Sequence, residues 1–97
     1  MPTPTGRVLG ATAPTSATVG VASAVAVAAN PDRKGLVLVN VSSNRISLGL
    51  GYPAVLDNGI TLAANGAFSM DDYTFTIAAV NAIASGAGST LSIQEFE

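Results

Sequence analysis

Neither cysteine nor histidine occurs anywhere in the 97-residue sequence. The first absence removes disulfides, thiolate nucleophiles and thiolate metal ligands. The second removes the usual proton shuttle at neutral pH and the commonest metal ligand. Charge is scarce as well: only 10% of residues are charged and the formal net charge is −2, so the chain lacks the basic field that binding to a phosphate backbone requires. No apolar run approaches the roughly 20 residues of a membrane-spanning helix; the nearest, Val19 to Ala29, is too short. The segment before it holds Arg7 and three prolines, not the compact basic start and apolar core of a signal peptide. These absences predict a soluble, cytoplasmically synthesised, non-enzymatic chain that needs no cofactor or metal and binds neither nucleic acid nor membrane directly.

What is present reads as short strands. Residues 1–17 carry Pro2, Pro4 and Pro14 among Thr, Ala and Gly, a composition that disfavours regular structure and predicts a flexible N-terminal arm ahead of a β-sandwich domain over 18–97. From Thr18 the parity of a strand sets in. Val19, Val21, Val25 and Val27 fall on one side, and Gly20, Ala22, Ala24 and Ala26 on the other, giving a bulky face and a thin one. Asn30-Pro31-Asp32 reads as a turn. The run Gly35-Leu-Val-Leu-Val-Asn-Val41 follows as a central strand, with Leu36, Leu38 and Asn40 on one face and the valines on the other. Ser42-Ser43-Asn44 suggests a hairpin into Arg45–Leu50, where Ile46, Leu48 and Leu50 point inward and Arg45, Ser47 and Gly49 outward. Ile60 and Leu62 mark a short strand, Asn65-Gly66 a tight turn, and Ala67–Met70 its partner. Thr74–Val80, Ala82–Ala84 and Thr90–Phe96 supply the remainder. Seven or eight such strands, with no helical face of three turns and no βαβ spacing, predict an all-β antiparallel sandwich or jelly roll.

Chemistry-bearing residues are few and dispersed. In a strand Asp71 and Asp72 would point to opposite faces; in turns they and Asp57 are more simply solvated, since the ligand spacing of a calcium loop is missing. No serine lies in a nucleophile elbow, and Lys34 beside Gly35 reads as a solvated charge more readily than as a base. Arg33, at the entrance to the central strand, is the ion expected to matter structurally, with Asp71, Asp72 or Glu95 as cross-strand partners. The loop through Gly51-Tyr-Pro and Asp57-Asn-Gly59 has the aromatic and polar tips of a recognition surface, so Tyr52, Asp57, Asn58 and Tyr73 are candidate surface contacts. Pro2, Pro4, Arg7 and Pro14, with the small-residue face of Ala22, Ala24 and Ala26, are candidates for contact with sister subunits or a larger assembly.

The segment Asn30-Pro-Asp-Arg-Lys-Gly-Leu-Val-Leu-Val-Asn-Val-Ser, together with Arg45-Ile-Ser-Leu-Gly-Leu, Asn58-Gly-Ile-Thr-Leu, Ala82-Ile-Ala-Ser-Gly and Leu91-Ser-Ile, resembles small accessory virion proteins of tailed bacteriophages, including capsid cement or decoration proteins and head-fibre modules. The likeness is one of strand-and-turn rhythm from Asn30 onward; the alanine-rich strand before it departs from the pattern. The resemblance implies a β-sandwich subunit, often a homotrimer, that binds the major capsid protein on the outer surface of the head and stabilises contacts between its subunits. It carries no catalytic residues to transfer. A carbohydrate or cell-surface binding module of a phage fibre, built on Tyr52 and Tyr73, and a tail structural component are the alternatives.

Overall fold

A computed structural model describes residues 10–97, and their regular structure is entirely strand: β1 (Thr15–Val19), β2 (Ala24–Val27), β3 (Gly35–Asn40), β4 (Ile46–Leu50), β5 (Ile60–Leu62), β6 (Ala67–Ser69), β7 (Val80–Ala84) and β8 (Ser89–Phe96). Two four-stranded antiparallel sheets, ordered β1-β8-β3-β6 and β2-β7-β4-β5, pack as a sandwich. Successive strands change sheet at every connection but one. Only β4 and β5 are adjacent both in sequence and in a sheet. The pairs β1·β8, β2·β7, β3·β6 and β4·β5 are those of one long hairpin whose tip is the β4–β5 loop; folding that hairpin over itself adds the β8·β3 and β7·β4 seams.

Side-chain alternation explains which face of each strand is covered. In β3, Leu36, Leu38 and Asn40 are buried while the intervening valines are only half-buried, and β7 and β8 repeat the pattern with Val80, Ala82, Ala84 and with Ser89, Leu91, Ile93. The two inner faces interdigitate, as sandwich cores do, with Val19, Val27, Ile46, Leu48 and Leu62 completing the apolar cluster.

Several local expectations give way to this topology. The valine-alanine run is broken by the segment 20–23 into strands of different sheets. Val21 and Val25 are therefore 64% and 61% exposed, and a register shift between Val25 and Val27 buries the second although both have the same parity. Ala22 lies in the crossing, Ala24 is exposed on edge strand β2, and Ala26 packs against the core, so the three do not form one thin face. Ser42–Asn44 and Asn65-Gly66 each carry the chain between sheets and close no hairpin. Only Val80 of the expected Thr74–Val80 strand is in a strand, and Phe75 and Ile77 are exposed.

The N-terminal boundary also moves. Gly10 and Glu97 exchange backbone hydrogen bonds of 2.9 and 2.8 Å, the Thr12 N–H donates to the Glu95 carbonyl at 2.9 Å, and Thr15 pairs with Ile93. Residues 15–17 thus belong to β1, and residues 10–12 are tied by backbone hydrogen bonds to the end of β8 rather than forming an arm. Four steps of chain separate Ala11 from Thr15, but three separate their partners Phe96 and Ile93. The extra residue is a bulge that accommodates exposed Pro14, which has no N–H to give to a ladder. Pro2, Pro4 and Arg7 lie outside the described residues.

Arg33 is buried just ahead of β3. Its Nε donates to Glu95 Oε2 at 2.6 Å, Nη1 to the carbonyls of Thr76 (3.0 Å) and Ala78 (2.8 Å), and Nη2 to that of Ala28 (2.8 Å). Of the three acids expected as partners, Glu95 is the one bound; Asp71 and Asp72 are exposed in the β6–β7 connection and take no part. A fully enclosed guanidinium demands this many acceptors, because each donor left dry would cost more than its bond returns. Replacing Arg33 with Met should therefore strand one carboxylate and three carbonyls and lower unfolding free energy by about 3–5 kcal/mol. Urea denaturation is the measurement, with the exposed Arg45→Ala variant expected to shift the midpoint far less.

Candidate recognition loop and cleft

The β4–β5 connection, residues 51–59, is the hairpin tip, and hydrogen bonds from outside the loop hold it at several points. It leaves β4 through Gly51, whose φ of 79° is a left-handed conformation suited to glycine, and Gly51 donates its N–H to the Ala79 carbonyl at 2.9 Å. The chain then folds back over the outer face of β4 and β7. Asn81 Nδ2 donates to the Tyr52 carbonyl at 2.6 Å, and the N–H of buried Ala54 donates to Ser23 Oγ at 2.8 Å.

That cover requires glycine at position 49. A Cβ there would collide with the Tyr52 carbonyl oxygen and stand 3.0 Å from the Ala54 nitrogen. Ser47, expected to face solvent like Gly49, is likewise buried: its Oγ accepts the Asp57 N–H at 2.8 Å and lies 2.9 Å from Thr61 Oγ1. Parity puts both on the outer face of β4, and that face is roofed here by the loop.

Asp57 adopts φ 64° and forms a two-point pair with Arg45, Nε to Oδ1 at 2.7 Å and Nη2 to Oδ2 at 3.0 Å. Hydrogen bonding to Arg45 holds the Asp57 carboxyl below its ordinary range, and the same bond raises the Arg45 guanidinium above its own. Half-exposed on both sides, this pair pins the loop without forming a buried charge.

Between the folded-back loop and β5 runs a cleft of about 390 Å³, walled by Leu48, Leu50, Pro53, Val55 and Ile60, with Tyr52 and Asn58 at its polar rim. Tyr52 is 75% exposed. Of the candidate surface residues, Tyr52, Asp57 and Asn58 thus come together in one loop. Tyr73 does not join them: it is 96% exposed in the β6–β7 connection, beside a smaller cleft of about 260 Å³ formed by Lys34, Met70, Asp71, Asp72 and Phe75.

Asp71 organises that second turn. Its Oδ1 accepts the N–H groups of Tyr73 (2.9 Å) and Thr74 (3.0 Å) and the Thr74 hydroxyl (3.1 Å). These bonds, the Tyr73 N–H foremost, hold its carboxyl below the ordinary value. Val55, and the meeting of Leu48, Leu50, Pro53 and Ile60 in one cleft, escape sequence reasoning, since only the folded-back path of the loop makes them neighbours.

The chemistry available in the larger cleft is contact with apolar groups, one amide and one phenol. The nearby Ser47 hydroxyl is enclosed by Asp57 and Thr61, and neither histidine nor cysteine exists to activate a nucleophile. Comparison of the chain with protein-family models, with curated proteins and with solved structures gave no match.

Two consequences are measurable. Gly49→Ala should lift the 51–54 segment off the sheet and cost about 1–3 kcal/mol, as overpacking at a buried site does, with enhanced proteolysis of the loop as the local readout. For pH, a carboxylate with a folded-state pKa below its unfolded one contributes stability that is present above the unfolded value and lost as pH falls through the folded one. Asp57 and Asp71 both have this sign. With no histidine or cysteine side chain to titrate, thermal stability should be flat between about pH 5 and 7 and fall below about pH 4. Asp57→Asn should flatten part of that acid limb, an effect reduced by salt because the pair is exposed.

Proposed function

We propose that this chain is a non-catalytic jelly-roll protein of a phage virion, which binds the outer surface of the head as a homotrimer and stabilises contacts between major capsid subunits. The observation that carries the reading is the strand order. Sheets of β1-β8-β3-β6 and β2-β7-β4-β5 are what two interlocked Greek keys of eight strands produce, an architecture used by viral capsid and lectin domains. Because a fold of this kind serves many roles, the choice of the capsid role rests on the resemblance to cement and decoration proteins over Asn30 onward.

Attachment is assigned to Met1–Leu9, with Pro2, Pro4 and Arg7, which precede the anchored Gly10. Subunit association is assigned to the edge around Ala22 and Ala24, where Val21 and Val25 are exposed as well. Repeated weak attachment would act collectively, since tethered copies rebind at high effective concentration.

A second reading, a carbohydrate or cell-surface binding module of a fibre, is favoured by exposed Tyr52 and Asn58 at the rim of the larger cleft, an aromatic surface beside an amide being suited to a sugar face. Sedimentation and electron microscopy of the protein mixed with undecorated phage heads distinguish the two. Decoration of the head by trimers, with occupancy lost on deleting Met1–Leu9 and trimers weakened by Ala24→Glu, is the expected outcome. Unchanged occupancy after the deletion overturns the attachment role. Binding to glycans with none to heads favours the fibre reading, and labelling of the tail alone would make the chain a tail component.

A further inference from the structure

The sequence contains two Asn-Gly pairs, Asn58-Gly59 and Asn65-Gly66. In such a pair the glycine nitrogen can attack the preceding side-chain amide with little hindrance, because glycine carries no Cβ beside the attacking atom. Whether it does so in a folded protein depends on whether that nitrogen is free and the local chain can bend.

The two pairs differ on the first count. The Gly66 N–H is committed to the Ala63 carbonyl at 2.8 Å, and the Asn65 N–H to the carbonyl of buried Asn40, also at 2.8 Å. Asn65 already sits at φ 65° in a turn so tight that a Cβ on Gly66 would come within 3.0 Å of the Ala63 carbonyl oxygen. Gly59, in contrast, makes no backbone hydrogen bond through its N–H among the described residues, and both it and Asn58 are exposed. Asn58 is held by its own N–H to the Val55 carbonyl at 3.1 Å, and its amide makes a long 3.3 Å contact with the Leu56 carbonyl. The remaining asparagines are protected in other ways. Asn30 precedes Pro31, which has no N–H; Asn40 is buried; the N–H after Asn44 donates to Ser85 Oγ; and the Asn81 amide is bound to the Tyr52 carbonyl within β7.

We propose that Asn58 is a site of spontaneous deamidation selected by the fold, one that turns the rim of the larger cleft from neutral to anionic. The Gly59 nitrogen forms a bond to Asn58 Cγ and loses its proton, the Cγ–Nδ2 bond breaks, and ammonia leaves. The cyclic imide then takes up one water and opens at either carbonyl, leaving aspartate or its β-linked isomer at position 58. One water enters and one ammonia departs, with no oxidant or reductant. At neutral pH the product adds one negative charge to a chain whose formal net charge is −2. The new carboxylate stands next to Asp57, whose own oxygens are already occupied by Arg45, and lines the same cleft as Tyr52 and its apolar walls. The isomer, in addition, inserts a methylene into the backbone of the loop. This chemistry holds whether the partner of the cleft is a protein or a glycan.

The test is incubation of the intact protein at mildly alkaline pH, followed by digestion and mass mapping. The peptide containing Asn58 should gain about one dalton and yield the β-linked isomer. In the folded protein it should react faster than the peptide containing Asn65 by roughly tenfold, the factor expected when the Gly66 turn must first lose one or two backbone hydrogen bonds. In concentrated urea the two should react at similar rates, and Asn58→Gln should abolish the charge variant seen on ion exchange. Equal rates at Asn58 and Asn65 in the folded protein would overturn the proposal. So would an Asn58 that stays intact in the folded protein while the denatured chain reacts.

Discussion

A single buried charge sets the terms for one end of this sandwich. Arg33 has no water to turn to, so its donors must be met by protein, and the acceptors come from separate parts of the chain: Ala28 before it, Thr76 and Ala78 in the β6–β7 connection, and Glu95 near the end of β8. Arginine suits this position because its planar fork reaches several acceptors in fixed directions at once. Consuming the Thr76 and Ala78 carbonyls also explains why the residues around them do not continue β7 toward Thr74. The acceptors that a strand would offer to a neighbour are pointed at the guanidinium instead.

The other end of β3 is closed by an uncharged counterpart. Asn40, fully buried, donates through Nδ2 to the carbonyls of Asn44, Leu62 and Ala63, and its Oδ1 accepts from the N–H and hydroxyl of Ser42. One side chain thereby ties the β3–β4 crossing to the β5–β6 crossing. Asn44 passes the network on to Ser89, whose hydroxyl donates to the Gly86 carbonyl. In a small sandwich whose strands nearly all change sheet, the crossings are the parts that sheet hydrogen bonds leave unfastened. Buried polar residues at both ends of the central strand supply that fastening, and each polar atom they bury is satisfied.

With its ends tied, the hairpin tip is free to be used as a surface. The 51–59 loop lies over Gly49 and Ser47, is pinned at its far side by Arg45 and Asp57, and leaves a cleft whose walls are apolar and whose rim is Tyr52 and Asn58. Loops on a rigid sheet are where recognition is commonly placed, and the proposed head-binding and glycan-binding roles make different uses of the same scaffold. Deamidation at Asn58 would alter this surface without touching the core, because neither Asn40 nor Arg33 makes contact through the loop tip.

What the sequence determined by itself is the period-two logic of individual strands: Leu36, Leu38 and Asn40 inward in β3, Ile46 and Leu48 in β4, Leu91 and Ile93 in β8. It also placed Tyr52, Asp57 and Asn58 in one loop between strands, and marked Arg33 as an ion paired within the fold. These are local properties, since alternation follows from the geometry of one extended chain. Which strands pair was decided only in three dimensions. Backbone donors and acceptors are the same at every residue but proline, so nothing in Ser42–Asn44 or Asn65-Gly66 says whether the chain turns back in its own sheet or crosses to the other. The break at 20–23, the bonding of residues 10–17 along β8 and the choice of Glu95 over Asp71 and Asp72 arise in the same way. Each depends on a partner distant in the chain, brought close by packing two sheets face to face, and the burial of Ser47 and Gly49 depends on the loop that then folds over them.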